Sequence, residues 1–197
     1  MEYGMKVRNH SIELETMETV YRPAEDTRLL MECIEPGRTT LEIGCGTGAV
    51  SILCAMEGSL VTAVDINPDA VSLTERNARR NSVRVNPLVS DLFGSVSGRY
   101  DTIAFNPPYL PAMDSIPGSE QWNGGKDGFM VTRPFLERVP DFLVPGGNVF
   151  IILSSLTDVD SLVREFRNLE FALAGEIAFE FERVYCYRLL EAGTKLR

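Results

Sequence analysis

A doubly wound α/β fold, built on a mostly parallel sheet with helices on both faces, is predicted by three observations. Short apolar runs alternate with helical patterns along most of the chain. The first of these runs ends in a glycine-rich turn that opens directly into a helix, the usual join of a parallel unit. The tail from Phe171 to Leu190 breaks the alternation and carries no helical stripe, so it reads as two long strands. A closing pair of that kind places an antiparallel strand at one edge of the sheet.

The elements follow in order. Arg22-Pro23 opens a helix through about Ile34, and Pro36-Gly37 stops it. Thr40 to Ile43 is a strand, Gly44 to Gly48 a turn, and Ala49 to Met56 a nearly all-apolar, buried helix. Leu60 to Asp65 is the second strand. Asn67 then caps a helix that has Pro68 at its first position and runs to about Arg80. Val85 to Ser90 is the third strand and Tyr100 to Phe105 the fourth. Leu110 to Gly128 is a long loop rich in proline and glycine, and such loops inside compact domains usually carry function. Phe129 to Phe142 is helical, Pro145-Gly146-Gly147 a turn, and Asn148 to Leu153 the fifth strand. Thr157 and Asp160 suggest a capping box for a helix ending near Asn168, and the final strands turn near Glu182-Arg183.

Composition narrows the function. The chain has 197 residues, 44% apolar and 24% charged, enough for a sizeable core in one domain over 1–197, with 1–19 as an N-terminal extension. No apolar run approaches the roughly 20 residues that cross a bilayer. Met1 to Glu18 carries neither a signal-peptide core nor a transit-peptide bias, so the cytoplasm is the expected location. Cys33, Cys45, Cys54 and Cys186 are scattered without a Cys-x-x-Cys pair, and His10 is the only histidine. A zinc site or a cysteine–histidine nucleophile pair has little to work with, and the thiols read as buried apolar residues. Net charge is −9, with 28 acidic against 19 basic residues, which argues against a protein that grips nucleic acid unaided. Arg76, Arg79, Arg80 and Arg84 form the only local basic cluster and read as a solvated helix face.

The chemistry lies at the ends of the predicted strands. Gly44-Cys45-Gly46-Thr47-Gly48 lets a ligand approach bare backbone, and alone would suit a nucleotide, a nicotinamide cofactor or S-adenosylmethionine. Asp65 ends the next strand, where a carboxylate can accept ribose hydroxyls. Asp91, followed by Leu92, ends the third, where it can accept from an adenine amine. Two features favour S-adenosylmethionine: the turn is Gly-x-Gly-x-Gly, and Glu42 precedes it, suiting a cationic methionine end while repelling a pyrophosphate. No Gly-Lys-Ser/Thr is present, which excludes a P-loop. Asn106-Pro107-Pro108-Tyr109 closes the fourth strand with an amide, two stiff prolines and a ring. Proline donates no N–H, so carbonyls near Asn106 can act as fixed acceptors for a planar –NH2 group, with Tyr109 covering its face.

These motifs, in this order, resemble class I methyltransferases that carry Asn-Pro-Pro-Tyr. The chain is most similar to the HemK-like protein-glutamine N5-methyltransferases of peptide-chain release factors, in the short archaeal and eukaryotic branch. Tyr21-x-Pro23-Ala24-Glu25-Asp26-Thr27 and Trp122-x-Gly124-Gly125-x-x-Gly128 carry that closer likeness, which spans roughly Val20 to Leu190. The resemblance implies a seven-stranded sheet with one reversed strand, and a cofactor site lined by Thr27, Glu42, Gly44, Asp65, Asp91, Leu92 and Asn106, beside Gly46 of the glycine turn. It implies catalysis through Asn106, Pro107, Pro108 and Tyr109, with a release factor as substrate. It further implies a small zinc-binding activator that completes the sheet at the edge strand near Val83 to Val89. Arg22 stands where the family commonly has an acidic residue, and no role is assigned to it.

In that reading the Asn106 side-chain oxygen and the Pro107 carbonyl accept the two N–H hydrogens of a glutamine amide. The same acceptors suit an exocyclic amine of adenine, cytosine or guanine; the acidic balance and the lack of an appended base-reading domain count against it. Lysine is a third acceptor, and a non-catalytic module on the same scaffold a fourth reading.

Overall fold

A computed structural model describes residues 2–111 and 123–193. The chain begins with an antiparallel hairpin, β1 (Glu2–Val7) and β2 (His10–Glu15). There follow α1 (Glu25–Cys33), β3 (Thr39–Ile43), α2 (Ala49–Met56), β4 (Leu60–Asp65), α3 (Pro68–Arg80), β5 (Val85–Val89) and β6 (Tyr100–Phe105). The remainder is α4 (Thr132–Phe142), β7 (Leu143–Ser154), α5 (Val159–Glu165), β8 (Leu169–Ala178) and β9 (Arg183–Glu191). No helix among the described residues is long and apolar enough to cross a membrane.

Seven strands form one sheet in the order β5-β4-β3-β6-β7-β9-β8. All pairs from β5 to β7 are parallel, and β9 runs antiparallel to both of its neighbours. The doubly wound class is as predicted, but the reversed strand does not lie at the edge. β9 inserts between β7 and β8 because it is the more apolar strand of its hairpin. Cys186 and Leu189 are fully buried there, whereas β8 alternates towards solvent and takes the edge.

Side chains alternate across the sheet into two cores, as the pleat requires. Phe150 and Ile152 of β7 face α1, α2 and the hairpin, whereas Val149, Ile151 and Leu153 face Phe135, Leu136 and Val139 of α4. The stacked rings of Phe93, Phe135 and Phe142 fill the second core.

Local differences from the sequence reading have identifiable causes. α1 starts at Glu25 rather than Arg22, because Ala24 is extended and Arg22 precedes a proline. The cap of α5 is Asp158, whose side chain accepts the Ser161 N–H at 2.9 Å, and the helix ends at Glu165. Thr157 cannot take that place, since its hydroxyl donates to the Ser154 carbonyl at 2.7 Å. Pro145-Gly146-Gly147 does not separate a helix from a strand but lies inside β7. There the register against β6 slips between Tyr100–Leu143 and Thr102–Asn148.

The N-terminal hairpin belongs to the first core, to which it contributes Val7, Ile12 and Leu14. Two asparagines one turn apart, Asn77 on α3 and Asn81 capping its end, hold its edge. Asn77 Oδ1 accepts the Glu15 N–H at 2.7 Å while its amide donates to the carbonyls of Glu15 and Thr47. Asn81 does the same for Glu13, at 2.9 Å and 2.7 Å. Arg76 and Arg80 pair with Glu15, and Arg79 with Glu75. Most of the predicted basic cluster is therefore engaged within the chain.

Candidate active site

A cleft of about 990 Å³ opens at the carboxyl ends of the central strands. It lies where the chain turns from β3 outwards to β4 on one side and to β6 on the other, the switch point at which open α/β sheets take ligands. Every residue predicted for the site lines this cleft, except Gly46.

The glycine turn sits at the floor. Gly44, Gly46 and Gly48 all have positive φ, and Cys45 N–H donates to the Val64 carbonyl at 3.0 Å, docking the turn on β4. Gly46 is not itself part of the lining and donates its N–H to Asp65 Oδ2 at 2.9 Å. Asp65 Oδ1 accepts from the Asn67 N–H at 2.9 Å. One lone pair on each Asp65 oxygen is thus used to fix the carboxylate at the end of β4, and burial raises its pKa. Just after β5, the Ser90 hydroxyl donates to the Leu92 carbonyl at 2.9 Å and accepts from the Ser95 N–H at 2.9 Å. This clip holds Leu92 in the left-handed region, φ 44°, with Asp91 exposed beside it.

Glu42 is 4% exposed below the turn. Its Oε2 accepts from the Ser51 N–H at 2.9 Å and from the Ser51 hydroxyl, in the first turn of α2. Desolvation outweighs these bonds and pushes the carboxyl up to about 8.

Asn106 is the centre of the other wall. Its Nδ2 donates to Asp26 Oδ2 at 3.0 Å, while its Oδ1 is buried with no hydrogen-bond partner among the described residues. Thr132 Oγ1 is the other such side-chain atom among them. A carboxylate only accepts, so Asp26 dictates which end of the Asn106 amide it faces and leaves the carbonyl end uncommitted. Asp26 is itself 6% exposed and shared. It accepts the Tyr109 hydroxyl at 3.3 Å, the Tyr21 hydroxyl at 3.1 Å and 3.2 Å, and the Thr27 N–H at 2.6 Å. Burial, and then the Asp26 charge, raise the pKa of both tyrosines, so they remain donors. Thr27 is thereby held at the cleft with its own N–H occupied.

Pro107, Pro108 and Tyr109 continue along the same wall. The turn from Gly124 to Gly128 packs against it: Gly124 N–H donates to the Leu110 carbonyl at 2.8 Å. Gly128 has φ 81°, and a Cβ there would fall 2.6 Å from the Tyr109 carbonyl oxygen, so only glycine allows this approach. Trp122, from the same motif, lies outside the described residues.

Sequence reasoning missed Asp26 and Tyr21 as site residues. Both stand in the stretch that carried the family likeness, but an acid in the first turn of a helix reads as a dipole partner. Neither thiol nor imidazole chemistry finds support here. Burial raises the pKa of Cys45, and His10 lies on β2 near Glu57. No cluster suited to a metal ion occurs among the described residues.

Sheet order, reversed strand and cleft together define the class I methyltransferase fold. Residues 22–177 match the methyltransferase small domain family, and the chain belongs to it. A relative in Methanocaldococcus jannaschii, named protein N5-glutamine methyltransferase MJ0928, is 40% identical over 85% of this chain and 88% of its own length. Human methyltransferase HEMK2 is 36% identical over 68% of this chain and 71% of its own. Among solved structures, the Mtq2-Trm112 complex of E. cuniculi, which methylates the eRF1 translation termination factor, superposes with a TM-score of 0.71. It covers 88% of this chain and 99% of that one at 22% identity. The 16S rRNA N2 G1207 methyltransferase of T. thermophilus gives 0.74 over 95% and 50% at 18% identity. At those identities the structural likeness is one of fold.

Proposed function

We propose that this protein transfers a methyl group from S-adenosylmethionine to the side-chain amide nitrogen of a protein glutamine. The acceptor is proposed to lie in the Gly-Gly-Gln loop of a peptide-chain release factor. The observation that carries the reading is Asn106 Oδ1, a buried acceptor without a partner among the described residues, on an amide whose donor end Asp26 already holds. Such an atom is costly unless a ligand N–H completes it.

The cleft fits the cofactor. Bare backbone at Gly44, a carboxylate at Asp65, the Asp91-Leu92 pair and the buried Glu42 are donors and acceptors suited to a nucleoside with a cationic amino-acid end. Thr27 and Asn106 complete the lining. S-adenosylmethionine, when bound, supplies a methyl group activated by a sulfonium. The chain's own contribution is to bind and orient the acceptor. An amide nitrogen is a weak nucleophile because its lone pair is delocalised into the carbonyl. Asn106 Oδ1 and the Pro107 carbonyl would take its two N–H hydrogens, fixing the nitrogen and favouring loss of amide resonance. Once the N–CH3 bond forms, one of those two protons is released to solvent. Asp26, drawing on the Asn106 amide hydrogens, increases the acceptor strength of that oxygen. The rate then comes from positioning and fixed dipoles. Tyr109 covers one face of the acceptor.

A glutamine is favoured over a nucleobase by the name of the relative at 40% identity and by the local electrostatics. Arg76, Arg79 and Arg80 are engaged in internal ion pairs, leaving the acidic surface of a chain with net charge −9. A small zinc-binding activator paired with β5, as the family resemblance implies, is proposed as partner; that the similar fold above was solved as a two-protein complex supports a partner. The proposed site of action is the cytoplasm.

Incubation with labelled S-adenosylmethionine and a release factor, ribosomal RNA or histone tests the reading. Mass spectrometry is expected to locate one methyl group on the glutamine of the Gly-Gly-Gln loop. Asn106→Ala is expected to keep cofactor affinity within about threefold and to lose transfer by at least about 10²-fold. Label entering RNA or lysine in place of glutamine would overturn the assignment.

A further inference from the structure

β8 runs parallel to β7, so the turn between β8 and β9, residues 179–182, emerges at the same edge of the sheet as the cleft. This turn carries Phe181, 84% exposed, and Phe179, 46% exposed. Two neighbouring segments add Leu156, 49% exposed, after β7, and Met130, 60% exposed, before α4.

Specific contacts join these residues into one strip. Ser155 N–H donates to the Arg183 carbonyl and Ser155 Oγ accepts the Arg183 N–H, both at 2.8 Å, fastening the Leu156 turn to the phenylalanine turn. Thr157 packs on Gly128, where a Cβ would lie 2.4 Å from its methyl carbon, fastening the same turn to the rim beside Tyr109. Met130 donates its N–H to the Gly124 carbonyl at 2.9 Å and lines the cleft itself. The strip therefore begins at the cleft mouth and runs outwards to Phe181.

Its charge is mainly acidic, with Lys126 of the turn from Gly124 to Gly128 as an exposed basic residue. Glu180 and Glu182 flank Phe181, and Asp158 and Asp160 follow Leu156, while Arg183 is paired with Glu176 at 2.9 Å. Glu182 accepts the Ser154 hydroxyl at 2.6 Å and lies near enough to Tyr21 and Tyr109 to bear on both phenols. Exposed aromatic residues in an acidic surround do not stabilise a monomer. They are typical anchors for a partner with apolar side chains and basic flanks.

We propose that this strip docks the protein that delivers the acceptor amide, holding a basic, apolar-bearing segment adjacent to the methylated residue. The proposal rests on the glutamine reading above. A side chain that reaches Asn106 must have its backbone across the cleft mouth, so the flanking residues of the substrate lie on the rim. On this side the rim is the strip. The surface is at the opposite end of the sheet from β5, so it remains available when that edge is paired.

Steady-state kinetics with an intact release factor, and with a short synthetic peptide spanning only its Gly-Gly-Gln loop, test the proposal. Phe181→Ser and the pair Phe179→Ser, Phe181→Ser change exposed residues outside the cofactor cleft. They are expected to raise KM for the intact factor by about tenfold, with kcat within twofold and peptide kinetics unchanged. Glu180→Lys is expected to raise the same KM and to weaken its salt dependence. An unchanged KM in all three variants overturns the docking surface and leaves the glutamine reading intact. Concentration-dependent dimers that Phe181→Ser abolishes, with KM unchanged, overturn it in favour of self-association. Absence of glutamine methylation by the unaltered protein overturns the reading on which it rests.

Discussion

Asp26 and Asn106, from the first helix and the end of the fourth sheet strand in chain order, meet at 3.0 Å, with the carboxylate accepting the amide N–H. The bond fixes a direction as well as a position. It turns the Asn106 carbonyl away from Asp26, where it is buried and unpartnered among the described residues. Asp26→Asn keeps the volume but can present either end of its own amide, so Asn106 is no longer compelled to face one way. Turnover is expected to fall by about 10²-fold with cofactor affinity within about threefold, as misorientation at a reacting group commonly costs. Isothermal titration and single-turnover transfer separate the two quantities. Loss of binding and turnover in equal measure would mean that Asp26 only supports the fold.

Glu42 is expected to tie cofactor affinity to pH. Desolvation holds its carboxyl at about 8, above the ordinary 4.5, so near neutral pH the folded protein retains a proton there that the unfolded chain releases. Stability from this group is present in full below about pH 4.5 and declines as pH rises through 8. A ligand cation placed against Glu42 favours the ionised form and expels the proton. Affinity for S-adenosylmethionine is therefore expected to rise by up to about tenfold per pH unit between 6 and 8, with proton release on binding. Calorimetry in buffers of different ionisation enthalpy measures that release. Glu42→Gln is expected to flatten the profile, and an unaltered slope in this variant would remove Glu42 from the cation's environment.

Asn77 links the N-terminal hairpin to the glycine turn. It is fully buried and bonded to the N–H and carbonyl of Glu15 and to the carbonyl of Thr47. Asn77→Ala strands three backbone groups, one of them in the turn on the cleft floor. The expected cost is about 3 kcal/mol in urea unfolding, against about 1 kcal/mol for Asn81→Ala on the rim of the same contact. Equal losses would mean that solvent reaches both sites alike.

The strands with dense apolar runs, Thr39 to Ile43 and Tyr100 to Phe105, were legible because burial on both faces leaves few alternatives. The cleft was legible for a related reason: its glycines and carboxylates stand at strand ends, which the alternation of elements locates. The hairpin at residues 2–15 was not. Ile12 and Leu14 alternate with polar residues over a short stretch, and the turn relies on Arg8 at φ 53° rather than on a glycine. The inward position of β9 depends on a comparison of two tail strands that periodicity alone cannot rank. Asp26 escaped because its role arises only when residues far apart in sequence converge, and no local pattern records convergence.

β5 closes the sheet at the end opposite β8, with its far side unpaired among the described residues. Val83 and Val85 pack on the first core and Leu88 on the second, so these side chains are accounted for within the chain. The outward backbone groups are not, and side-chain packing cannot satisfy them. Val89 is 50% exposed at the end of the strand, and Ile66 is 68% exposed next to its pairing partner Asp65. An added strand would bury this apolar pair and meet the free backbone in one step, at the sheet edge nearest Asp65 and Asp91. Val89→Lys changes only an exposed position and is expected to shift the melting midpoint by less than about 2 °C. It is also expected to weaken binding of the proposed activator by about tenfold or more, measured by calorimetry with the purified partner. A protein that is monomeric, soluble and equally active without any partner would leave this edge with no occupant. Its exposed valine would then be an ordinary surface residue.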